Sequence, residues 1–130
     1  MRRQILTKIK DIEKIAREIS KIKNVEAIYL FGSQSRGNTG PLSDIDICII
    51  GGLTEKEKSR VYYFSSDNLD ISFFEQLPII IQFRILKEGK KLFVRDRNKI
   101  DELKIRIIKN YIDFKYVINA YCKEILKCTI

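Results

Sequence analysis

The sequence predicts a mixed α/β (α+β) fold: a small mixed sheet of about four strands covered by helices, with a long helix at the C-terminal end. Apolar residues recur at steps of three and four at both ends of the chain, and short apolar runs bounded by Gly, Ser and Asn lie between them. One of those runs alternates strictly between apolar and polar residues. Helical and strand-like segments take turns, which argues for a mixed sheet with helical cover. A chain of 130 residues suits one core better than two, so residues 1–130 are expected to form a single domain.

Ile5, Ile9, Ile12, Ile15, Ile19 and Ile22 form one apolar stripe, which predicts a helix over about residues 2–22. Val25 to Phe31 reads as a short strand that stops at Gly32 and Ser33. Gln34 to Ser43 is polar and contains Gly37, Gly40 and Pro41, the composition of a helical turn followed by a loop. Ile45, Ile47 and Ile49 then alternate with Asp44, Asp46 and Cys48, so this strand should have one apolar face and carry both aspartates on the other.

Gly51 and Gly52 end that strand, and Thr54 with Glu57 has the form of a capping box that opens a helix to about Phe64. Ser65 to Asn68 reads as a turn and Leu69 to Phe74 as a third strand. A helix over Ile79 to Leu86 follows Pro78 and stops at Gly89, and Leu92 to Val94 reads as a short edge strand. From about Arg97 to Lys127, Ile100, Leu103, Ile107, Tyr111, Phe114, Ile118, Tyr121 and Ile125 keep helical spacing.

The net charge of +8 favours anionic partners, whether nucleic acid, nucleoside triphosphate or an acidic protein, but solvated helix faces account equally well for many of the lysines. Histidine is absent, which removes the commonest general base and leaves acid–base chemistry to carboxylates. Cys48, Cys122 and Cys128 form no Cys-x-x-Cys pair, as in a protein of the reducing cytoplasm, and Cys48 reads as core filler. No apolar run reaches the length of a signal peptide core or a membrane span. A cytoplasmic protein with no membrane attachment is expected.

The chemistry concentrates in FGSQSRGNTGPLSDIDICII, Phe31 to Ile50. Gly32 lacks a Cβ and lets a phosphate approach the backbone, while Ser33 offers a hydroxyl and an N–H at an expected helix start, where the dipole favours an anion. Asp44 and Asp46, at i and i+2 on a strand, project the same way about 7 Å apart. Their repulsion is relieved by shared divalent cations, and Mg²⁺ suits oxygen ligands when triphosphate oxygens complete the coordination. Asp70, flanked by Leu69 and Ile71, adds a third strand carboxylate whose burial would be costly without a metal, and it could accept a hydroxyl proton. Asp67, in a Ser-Ser-Asp-Asn turn, reads as a turn residue.

Gly-Ser, ten residues and Asp-x-Asp, here GSQSRGNTGPLSDID, resembles the signature of the polymerase-beta-type nucleotidyltransferase superfamily and its minimal nucleotidyltransferase (MNT) branch. The likeness extends to the opening helix, the third aspartate on the next strand and the closing helix. It implies the nucleotidyltransferase fold, with Gly32, Ser33, Arg36 and Ser43 around the triphosphate of ATP and Asp44, Asp46 and Asp70 holding one or two Mg²⁺ ions as catalytic carboxylates. Many minimal members act as antitoxins that transfer AMP from ATP to a tyrosine of a HEPN-type ribonuclease toxin encoded nearby. That toxin is the partner the resemblance implies.

The connection from Gly51 to Asn68 is short, and no second domain is expected to follow, which would leave little material for an acceptor pocket. Two alternatives remain. The chain could neutralise a partner by binding alone, or transfer nucleotides to RNA through the basic cluster of Lys87, Lys90, Lys91, Arg95 and Arg97, although a charged strand edge explains that cluster as well.

Overall fold

A computed structural model describes residues 9–32, 45–66 and 69–129. In chain order the elements are α1 (Ile9–Ser20), β1 (Ala27–Phe31), β2 (Ile45–Ile50), α2 (Glu55–Tyr62), β3 (Leu69–Phe73), a 3₁₀ turn (Phe74–Gln76), α3 (Ile79–Glu88), β4 (Lys90–Val94) and α4 (Arg97–Thr129). The strands form one mixed sheet in the order β3-β2-β1-β4, in which β1 runs antiparallel to both neighbours and β2 pairs parallel with β3. The parallel pair is possible because α2 carries the chain back across the sheet between β2 and β3.

Helices cover both faces. Ile45, Ile47 and Ile49 of β2 pack with Ile12, Ile19 and Val61 from α1 and α2, while Cys48 and Ile50 pack with Ile85, Ile100 and Ile107 from α3 and α4. The expectation of a single apolar face on β2 is therefore corrected. Only Asp46 breaks the burial of the second face, at the end of the strand that α3 and α4 leave half open. Cys48 is fully buried, as expected of core filler.

Helix α1 ends at Ser20, two residues earlier than its periodicity predicts, because Ile22 enters a turn in which its N–H donates to the Ile19 carbonyl at 3.0 Å; its side chain is nevertheless buried. The capping box forms as read: the Glu57 N–H donates to Thr54 Oγ1 at 3.2 Å, and the Thr54 N–H donates to Glu57 Oε1 at 2.9 Å. Asn24 Nδ2 donates to the same carboxylate oxygen at 2.8 Å and ties the α1–β1 turn to α2. The backbone hydrogen bond from Thr54 and the side-chain bond from Asn24 hold the Glu57 carboxyl below its ordinary range.

Strand β3 stops at Phe73, one residue short of the expected end, because Phe74 turns into the 3₁₀ segment and buries its ring in the α3–α4 side of the core. Strand β4 begins at Lys90, two residues before the expected start, directly after Gly89, and lies at the sheet edge as anticipated. Arg95 follows it. Its Nε donates to the Val25 carbonyl at 2.9 Å and its Nη2 to the carbonyls of Ser20 and Ile22, so this member of the basic cluster fastens the α1–β1 turn to the β4 edge.

The first half of α4 lies on α3, where Tyr111 stacks on Phe83 with ring centroids 3.9 Å apart and planes 9° from parallel. Among the described residues no helix is long and apolar enough to cross a membrane.

Candidate active site

Of the residues the sequence singles out, Gly32, Asp46 and Asp70 lie within the described structure, and they converge at one end of the sheet. Ser33, Arg36, Ser43 and Asp44 lie outside the described residues, as do the predicted loop 34–43 and the turn residue Asp67.

Two pairings bring the three together. Across the antiparallel pair, Phe31 lies opposite Asp46, which sets Gly32 beside that aspartate. Across the parallel pair, Asp46 is in register with Asp70. Residues in register on neighbouring strands project to the same side, and the strands lie about 4.8 Å apart. The two carboxylates are therefore neighbours on the face that β2 shares with α3 and α4.

Gly32 is needed here for a reason that the sequence reading missed. Its φ is +87°, a left-handed conformation that glycine adopts without strain, and a Cβ built on it would come within 2.6 Å of Asp46 Oδ2. The glycine thus makes room for the aspartate. Spacing alone cannot reveal this, because the contact arises from the register of β1 on β2.

Asp46 is half-buried and Asp70 exposed. The expectation that Asp70 sits in a costly buried position is corrected: β3 is an edge strand, and the face carrying Asp70 is open to solvent. Its apolar neighbours Leu69 and Ile71 point to the opposite, buried face.

Beside Gly32 opens a cleft of about 150 Å³ lined by Phe31, Gly32, Gly89 and, from α3, Ile81, Arg84, Ile85 and Glu88. Its wall is largely apolar, with a cation and an anion one helical turn apart at i and i+4. In the sequence Arg84 reads only as part of a covering helix, and Glu88 falls past that helix's expected end at Leu86. Their helical spacing places them on one face, but nothing in the sequence says that this face borders Gly32.

Two adjacent carboxylates beside Gly32 provide hard oxygen donors. That donor set suits a divalent cation shared with phosphate oxygens.

Residues 13–98 match the family model described as polymerase beta, nucleotidyltransferase. A Methanocaldococcus jannaschii protein, provisionally named a protein adenylyltransferase, is 32% identical over 72 residues. That match takes in 55% of this chain and 58% of the relative, so the chain spans well under two thirds of the relative's length. Among solved structures, the chain resembles one in a crystal structure of a toxin–antitoxin with AMP-PNP, with a TM-score of 0.70, 19% identity and coverage of 88% of this chain and 98% of that one. It also resembles a chain in the structure of tri-AMPylated Shewanella oneidensis HEPN toxin in complex with MNT antitoxin, with a TM-score of 0.61, 21% identity and coverage of 90% and 94%. At these identities the likeness establishes a common fold.

Proposed function

Because the chain belongs to the polymerase beta nucleotidyltransferase family, we propose that it transfers AMP from ATP to a tyrosine hydroxyl of a HEPN-type toxin protein and so acts as that toxin's antitoxin in the cytoplasm. The observation that carries this reading is the in-register placement of Asp46 and Asp70 beside Gly32. The M. jannaschii relative's name and the AMP-PNP and AMPylated complexes among the structural relatives support the choice of nucleotide and acceptor.

In this reading Gly32 and Ser33 receive the triphosphate, with Arg36 and Ser43 steadying it, and Arg84 offers a cation at the mouth of the adjoining cleft. Asp44, Asp46 and Asp70 would hold Mg²⁺, which when bound neutralises triphosphate charge and lowers the pKa of a coordinated hydroxyl. The acceptor oxygen forms a bond to the α-phosphorus as the bond to the bridging α–β oxygen breaks, and pyrophosphate leaves. Asp70, exposed on the edge strand, takes the hydroxyl proton. The absence of histidine leaves a carboxylate as the natural base.

The test is incubation of the purified chain with α-labelled ATP, MgCl₂ and the HEPN-type protein encoded beside it. Label on a tyrosine of that protein is expected, with loss of transfer in Asp44→Asn and Asp46→Asn. Neutralisation of the toxin by Asp46→Asn at wild-type strength would instead identify a partner that acts by binding alone.

A further inference from the structure

Helix α4 has apolar residues on two opposite sides. Ile100, Ile107 and Tyr111 face the core and α3. On the outer side Ile105, Ile108, Ile112 and Tyr116 follow one another at steps of three, four and four, and they are 56%, 46%, 59% and 77% exposed. At 100° per residue all four fall within about 40° of Ile112, and they extend about 16 Å along the axis. A solvent-facing helix side ordinarily carries polar residues, and a contiguous apolar stripe with no cover marks a contact site.

The charges beside the stripe indicate what covers it. Lys109 lies about 60° to one side of Ile112, and Lys115 and Lys104 about 60° and 80° to the other. Asp113 sits about 100° away, and Asp101 and Glu102 lie beyond the N-terminal end of the stripe, four and three residues before Ile105. A second copy would bring these lysines against their own kind, on a chain already at +8. A partner with an apolar helix-binding groove rimmed by carboxylates meets both the stripe and its border.

We infer that the outer face of α4, from Ile105 to Tyr116, is the surface on which the acceptor protein docks, through an acidic-rimmed apolar groove; this rests on the AMP-transfer reading above. The short Gly51–Asn68 connection offers little acceptor surface of its own, whereas α4 presents a rigid, preformed one. Specificity for the acceptor then resides in a helix separate from the carboxylates.

The test compares wild type with Ile108→Glu/Ile112→Glu and with Lys109→Glu/Lys115→Glu. Affinity for the adjacent HEPN-type protein is measured by titration calorimetry, AMP transfer with labelled ATP, and the mass of the chain alone by light scattering. All four positions are exposed, and circular dichroism checks that both variants fold. Each variant should bind at least about thirtyfold more weakly. Transfer should fall at low acceptor concentration and recover as acceptor is raised, while the chain alone stays monomeric. Unchanged affinity in both variants, with wild-type transfer intact, overturns the docking surface and leaves the function standing. Absence of transfer to this protein by wild type overturns the function and its docking surface together. A wild-type dimer that Ile108→Glu/Ile112→Glu dissociates assigns the stripe to a second copy and overturns the inference.

Discussion

The carboxylate of Asp46 lies against the open side of Gly32, with Oδ2 only 2.6 Å from where a Cβ would stand. Backbone conformation and side-chain placement demand glycine independently at this position, since φ is +87°. Gly32→Ala should therefore lower stability by about 1–3 kcal/mol in urea denaturation. It should also lower AMP transfer by more than that loss explains, because the methyl group displaces Asp46. A variant with wild-type transfer would separate Gly32 from the site.

Asp46 and Asp70 act as a pair in the proposed chemistry, so their removal should not be additive. Asp46→Asn and Asp70→Asn are each expected to lower transfer by about a hundredfold to a thousandfold, and the double variant by little more. Mn²⁺ binding, followed by electron paramagnetic resonance, should weaken in each. Asp70→Asn should leave thermal stability nearly unchanged, because the residue is exposed.

The strands, helices and their order were legible because period two and period 3.6 leave different marks, and the Thr54–Glu57 capping box was legible because its spacing is fixed. Asp46 and Asp70 were expected as strand carboxylates, but neither their register nor the exposure of Asp70 was. Whether a strand lies at a sheet edge depends on the order β3-β2-β1-β4, which local pattern does not encode. The same holds for Arg84, brought beside Gly32 by the packing of α3, and for Arg95, which reads as one more surface cation and binds carbonyls 70 to 75 residues away in the chain.

Arg95→Ala should cost about 1–2 kcal/mol in chemical denaturation, since it frees the carbonyls of Val25, Ser20 and Ile22 together. Arg95→Lys should recover only part of this, because an ammonium lacks the planar fork that reaches several carbonyls. RNA binding, if measured, should not track the loss.

The Glu57 carboxyl titrates below 4.5 in the folded chain, through its bonds from Thr54 and Asn24. Its contribution to stability is therefore present above about pH 4.5 and lost as pH falls through the lowered value. Glu57→Gln should flatten the acid limb of stability against pH while keeping most of the cap near neutrality. Thr54→Ala should cost about 1 kcal/mol near neutral pH.

Burial pushes the Cys48 thiol up to about 12 from 9.0, whereas Cys122 is exposed. Iodoacetamide at pH 8 should alkylate Cys122 and spare Cys48 until the chain is unfolded, as read by peptide mass mapping. The raised value means that the Cys48 contribution is complete below pH 9 and declines as pH rises toward 12.

Among the described residues strand β3 pairs with a single strand, β2, with one further bridge from Leu69 to Ser66, and it carries Asp70. Sheet edges open locally at lower free energy than a domain unfolds as a whole. Release of this one strand would separate Asp70 from Asp46 while β1, β2 and β4 remain paired. In the proposed chemistry catalytic competence then depends on β3 staying paired, and amide exchange along Leu69–Phe73 should report the working fraction of enzyme before bulk unfolding begins.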